Sequence, residues 1–206
     1  MLERRHNVIT PAPPSGAGVS PRWVPGEIGI WAFILTDLTI FALYFATFMF
    51  ERRRDPVTFA HGRDALSATS GALNTALLVT ASLFIALAVH AVRRADGQRA
   101  QVLLVGAGAC GLAFIVNKPI EWGRELGAGH GIHHDNFFQL YYMLTGLHLA
   151  HVLVAMVVVI FLWRLAGTVM GSPTPRQLRF IENGASYWHL VDVIWLVLFA
   201  IFYLVR

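Results

Sequence analysis

The sequence predicts an all-α protein: a polytopic membrane helical bundle of five transmembrane helices. Three observations carry that reading. Hydrophobic residues make up 56% of the chain and charged residues 14%, with a mean hydropathy of +0.57, whereas soluble domains are about 45–50% apolar and about 25% charged. The charges gather in short stretches between long apolar runs, as expected when hydrocarbon is the solvent. Five of those runs reach the roughly 20 residues a helix needs to cross a core of about 30 Å, and none alternates as barrel strands do.

Residues 1–24 lack the apolar stretch of a signal peptide, and Pro, Gly and Ser crowd their second half. They read as a mobile tail ahead of one membrane domain, 25–206, whose first span is its own insertion signal. That span, 26–50, carries Asp37 near its middle. An ionisable group at membrane depth costs roughly 2.5–3.5 kcal/mol on insertion scales, so Asp37 is either a protonated carboxyl bonded to a neighbouring helix or a proton or lipid site. ERRRDP follows, and Pro56 ends the helix.

The second span, 71–92, opens GALNTALLVTAS. Small residues such as Ala76 let helix backbones approach closely, so this helix is expected to pack inside the bundle, with Asn74 needing a partner on another helix. RRADGQR forms a tight hairpin to the third span, 102–122, which ends NKPIEW. Lys118 and Glu121, three apart, read as a local surface pair anchoring that end at the interface. GRELGAGHGIHHD leads to the fourth span, 137–165. There Thr145, His148 and His151 share a seam, able to ligate haem or metal or to hydrogen-bond at a helix contact.

GSPTPRQLR connects to the fifth span, 182–205. With about 100° per residue, His189 falls about 20° from Glu182, and Asp192 about 80° from it on the same side. This polar stripe cannot face lipid cheaply and must meet another helix or a buried network. The expectation is one shared network of Glu182, His189 and Asp192 with His148, while Trp188 and Trp195 occupy a different face.

The net charge of +4 comes from arginines beside apolar spans, where anionic head groups explain them, and nucleic acid is not an expected partner. Cys110 is the single cysteine, which excludes an intrachain disulfide and any multi-cysteine metal site. Nine basic residues against seven favour an inside N-terminus. No internal repeat or inverted pair of broken helices points to a transporter.

YYMLTGLHLAH and YWHLVDVIWL resemble the signatures of subunit III of the haem-copper (cytochrome c) oxidases. LNTALLVTAS, IEW and ILTDLTIFA resemble earlier helices of that family in the same order, and the likeness covers nearly everything from Pro25 to Arg206. The resemblance implies an accessory subunit with no catalytic residue, haem or metal of its own. It implies docking on a catalytic large subunit that holds haem with copper or iron, bound phospholipid, and help with proton uptake and with keeping the catalytic core intact. It places the chain in the bacterial inner membrane, in respiratory electron transport. Longer members have seven helices, and this chain begins at their third. Asp37 stands where the oxidase branch usually has Glu, and PGEIGIW with that Asp looks more like the subset associated with nitric oxide reductases. Two other readings stay open: a self-contained membrane haem or metal enzyme built on His148, His151, His189 and the GHGIHHD loop, and a proton-coupled transporter using Asp37 and the fifth-span carboxylates.

Overall fold

The computed structural model describes residues 28–169 and 171–205; the tail at 1–24 lies outside them. Helix α1 (Ile28–Arg54) leads to a short α2 (Pro56–Ala65), then α3 (Ala68–Arg93), α4 (Gly97–Gly127), α5 (Asn136–Ala166) and α6 (Pro175–Phe199), which runs into a π-helical turn at Ala200–Leu204. Five helices are long and apolar enough to cross a membrane, as expected, and among the described residues there is no strand. Helices α3, α4, α5 and α6 close a ring, each against the next and α6 against α3, while α1 lies outside it against α5 and α6.

Side-chain caps set the boundaries. Ser67, Asp96 and Asp135 accept hydrogen bonds from backbone amides at the starts of α3, α4 and α5, filling donors that a helix start leaves open. Two connections read from the sequence as loops are partly helical. Pro56 ends α1 but also opens α2, whose first turn Asp55 caps through the Thr58 amide at 3.1 Å; proline suits a first helical position because its missing N–H has no partner there anyway. Thr174 and Gln177 form a capping box, so α6 starts at Pro175 rather than near residue 182. The α3–α4 turn is tight: Ala95 takes φ 61°, and a β-carbon on Gly97 would stand 2.5 Å from the Ala166 carbonyl oxygen. Only glycine lets α4 begin against the end of α5.

Helix α1 buries a narrow stripe, Ile34, Asp37, Phe41 and Phe48, at the spacing of a single helix face. Its other side, and the outer faces of α4 and α5 with Val102, Val105, Leu153 and Val157, are exposed and apolar. That suits a bundle bathed in lipid, where burial of apolar surface alone does not drive packing. Ala76 corrects one expectation: it lies on the exposed side of α3 and takes no part in packing within the bundle.

Candidate functional site

The most concentrated chemistry sits inside the ring, near the end where α3 and α5 begin and α4 and α6 finish. Lys118 and Glu121 are 0% and 3% exposed, which corrects their reading as an interfacial surface pair. Lys118 Nζ donates to Glu121 Oε1 at 2.8 Å and to the hydroxyl oxygens of Tyr141 and Tyr203 at 3.0 and 3.2 Å. Those are all three protons an ammonium has. Tyr141 donates its hydroxyl to Glu121 Oε1 at 2.5 Å, and Tyr203 donates to the same oxygen. On the other oxygen, Oε2, Ser70 Oγ donates at 2.9 Å and Asn74 Nδ2 at 3.3 Å, while Asn117 Nδ2 reaches Asn74 Oδ1 at 2.7 Å. The Lys118 ammonium also lies 4.7 Å from the Tyr141 ring centre and 5.2 Å from that of Trp195, distances at which a cation is attracted to a ring face.

Five donors thus converge on one carboxylate from all four ring helices. A carboxylate offers about four lone-pair sites, so Glu121 is saturated. A buried ion pair is stabilising only when its remaining valences are filled in this way. The arrangement can clamp four helices; it leaves no free lone pair for a passing ligand. The π turn completes it. In a regular α-helix Tyr203 would point well away from the side of Trp195, eight residues earlier, because eight steps of about 100° exceed two turns by about 80°. The wider π turn removes that excess, and both rings come to Lys118. A β-carbon on Gly71 would lie 2.9 Å from the Tyr203 ring, so glycine makes room for it on α3.

The polar residues singled out in the sequence separate into three further places. Asp37 of α1 meets His151 of α5, Oδ1 to Nε2 at 3.1 Å. His151 Nδ1 is 2.8 Å from the Leu147 carbonyl oxygen, which can only accept, so Nδ1 carries a proton. The contact between Nε2 and Asp37 must then hold a second proton, carried as imidazolium or as carboxylic acid. His148, one turn earlier and 0% exposed, has no hydrogen-bond partner on either ring nitrogen among the described residues. Its ring lies among aromatics, 5.6 Å from Phe114 and 5.2 Å from Trp195.

The stripe on α6 does not meet His148, which corrects the expected shared network. It faces α3 instead. Ser82 Oγ donates to Asp192 Oδ2 at 2.7 Å, His189 Nδ1 lies 3.3 Å from Ser82 Oγ, and Arg93 holds Glu182 at 2.7 Å. The sequence argument could not assign the stripe because Ser82 is one of five hydroxyl residues along α3, with Thr69, Ser70, Thr75 and Thr80, and nothing in the sequence distinguishes it from the others. The Lys118–Glu121 clamp was within reach: two opposite charges three apart inside an apolar run are costly unless buried against partners. Asn74, expected to need a partner on another helix, has Glu121 and Asn117. In the α4–α5 loop His130 pairs with Glu125 at 3.1 Å and His134 with Asp135 at 3.0 Å; among the described residues no three His, Cys, Asp or Glu gather as a metal-holding group.

The family model described as cytochrome c oxidase subunit III matches residues 25–205. A haem-copper oxidase subunit I+III of Aeropyrum pernix is 28% identical over 183 residues; the match takes in 85% of this chain but only 22% of that longer protein. A probable cytochrome c oxidase subunit 3 of Mycobacterium tuberculosis is 26% identical over 180 residues, covering 87% of this chain and 88% of the relative. A cytochrome c oxidase subunit 3 of Synechocystis is 27% identical over 179 residues, covering 85% and 74%.

Proposed function

The chain belongs to the cytochrome c oxidase subunit III family, and on that premise we propose that it is the accessory, non-catalytic subunit III of a haem-copper oxidase. It is a multi-pass membrane protein whose partner is the haem-bearing catalytic large subunit. The observation that carries the reading is the family match over residues 25–205, which takes in all five spans. The interior supports it: the best-satisfied polar cluster binds helices to one another and leaves Glu121 saturated. Its work is to hold the catalytic subunit intact through turnover and to assist proton uptake from the bacterial cytoplasmic face, with its N-terminus on that side. Haem, with copper or iron, resides in the large subunit.

Phospholipid is the second partner we assign. A cavity of about 540 Å³ between the ends of α5 and α6 has Arg164 and Arg176 beside an apolar floor of Phe161, Leu165 and Phe180, a pairing of cations and hydrocarbon that suits a phosphate head group with its chains. A nitric-oxide-reducing partner is the second reading, motivated by PGEIGIW together with Asp37 at the position where the oxidase branch usually has Glu.

Affinity purification from native membranes through a tag on the N-terminal tail tests the proposal. A haem-bearing large subunit is expected to co-purify, with oxygen consumption in the fraction. Nitric oxide consumption alone favours the second reading. A Soret band in this chain expressed alone, or the absence of any large subunit, overturns the proposal.

A further inference from the structure

The seam of Ser82, Asp192 and His189 lies at the middle of its two helices, His189 within a span of Pro175–Leu204 and Ser82 within Ala68–Arg93. It has an open valence at the surface. Ser82 has one hydroxyl proton and gives it to Asp192 Oδ2, so the hydrogen bond from His189 Nδ1 to Ser82 Oγ uses the ring's own N–H. In the neutral ring, Nε2 is left as a bare acceptor. No partner for it is found among the described residues, and it is not among the enclosed unpartnered atoms. The Asp37–His151 pair differs, since both nitrogens of His151 are engaged.

The direction in which Nε2 opens follows from the helix itself. Asp192 turns to Ser82 on α3, Gly184 faces Leu162 on α5, and Tyr187 packs on Phe33 of α1 at 5.8 Å. At about 100° per residue, these neighbours leave one strip of α6 uncovered, between α3 and α1, with the exposed Val193 near its centre and His189 and the exposed Leu196 on its α3 side. Lipid tails offer no donor to an imidazole, so a polar group half-buried at mid-bilayer marks a surface that another protein helix covers. Ser186, one turn from His189, and Ala86, one turn from Ser82, keep that strip low, and small residues permit close helix approach.

We propose that the strip of α6 between α3 and α1, which carries His189 and Val193, is the docking surface for a membrane helix of the haem-bearing catalytic subunit, and that this helix presents a hydrogen-bond donor to His189 Nε2. The inference rests on the subunit III reading above. A photo-reactive benzoylphenylalanine at Val193 should cross-link to the haem-bearing subunit in native membranes, whereas one at Val105, on the exposed outer face of α4, should not. In the same complex His189→Gln, which keeps an acceptor, should retain the subunit through detergent washing, and His189→Phe should lower retention about tenfold, the weight of one lost hydrogen bond. Adducts from Val105 as strong as from Val193, an adduct from Val193 to a second copy of this chain, no adduct although the complex co-purifies, or equal retention of the two variants would each overturn the docking surface. Failure of any haem-bearing subunit to co-purify removes the parent reading instead.

Discussion

Glu121→Gln is the sharpest perturbation of the clamp. The substitution keeps the size of the side chain and removes its charge, leaving the Lys118 ammonium, 0% exposed, with neutral acceptors alone, the amide oxygen and the two tyrosine oxygens. Breaking one side of a buried ion pair costs ~3–5 kcal/mol. The new amide also turns N–H groups toward donors of Tyr141 and Tyr203 or of Ser70 and Asn74. The opposite variant, Lys118→Met, is milder: Glu121 keeps four neutral donors, so the loss should be ~1–3 kcal/mol. In the double variant no charge remains to be left alone, and its cost should fall short of the sum of the two by at least ~2 kcal/mol. Reversible unfolding from mild detergent micelles into dodecyl sulfate, followed by tryptophan fluorescence, measures all three; Trp195 stands beside Lys118 and reports on the site directly. A loss below ~1 kcal/mol for Glu121→Gln, a larger loss for Lys118→Met, or strict additivity would refute the claim that this pair clamps the ring.

Other variants probe different places. His148→Phe keeps the ring contacts with Phe114 and Trp195 and removes two unpartnered nitrogens, so its melting temperature should equal or exceed that of the parent; a fall of several degrees would mean the imidazole has a bond to lose. His151→Ala should cost ~1–3 kcal/mol by leaving Asp37 unpaired, and added imidazole should restore part of it, as read by the same unfolding assay. Gly97→Ala must push the start of α4 off the Ala166 carbonyl and should lower stability by ~1–3 kcal/mol, seen as a lower detergent midpoint. The hydrogen bond from Thr58 holds the Asp55 carboxyl below its usual 3.8. A depressed carboxyl contributes above its unfolded value and loses the contribution as pH falls through its folded value, so amide protection of α2 should be level from pH 7 to 5 and decline only below about pH 4. A decline centred near pH 6 would rule Asp55 out as the cap.

The number and order of the spans were legible because hydrophobic runs of the right length have few other uses. Their ends were less so. The sequence reading stopped the first connection at Pro56 and opened the fifth span near Glu182, whereas the caps at Asp55 and Thr174 start helices within those loops. Composition marks a membrane helix by its apolar middle, and a polar, capped first turn contributes nothing to that signal. Pairings between helices were harder still. The angle from Glu182 to Asp192 correctly placed them on one side of α6, but a periodicity says which way a side chain points and not which helix waits there. His148 shares a seam with Thr145 and His151 in the sequence reading and is expected there to meet the α6 stripe, yet it packs among aromatic rings while the partners of that stripe come from α3. Tyr203 was invisible as a site residue because only the π turn directs it inward.

That turn bears on how the protein is made. Glu121 and Lys118 leave the ribosome well before Tyr203, which lies 82 positions beyond Glu121. At about 5–20 residues per second, the interval is about 4–16 s. Throughout it the nascent helix carries a charged pair whose last aromatic wall has yet to be synthesised. A message truncated shortly before codon 203 therefore yields a chain with all five spans begun, yet with Lys118 and Glu121 each short of the partner that Tyr203 supplies.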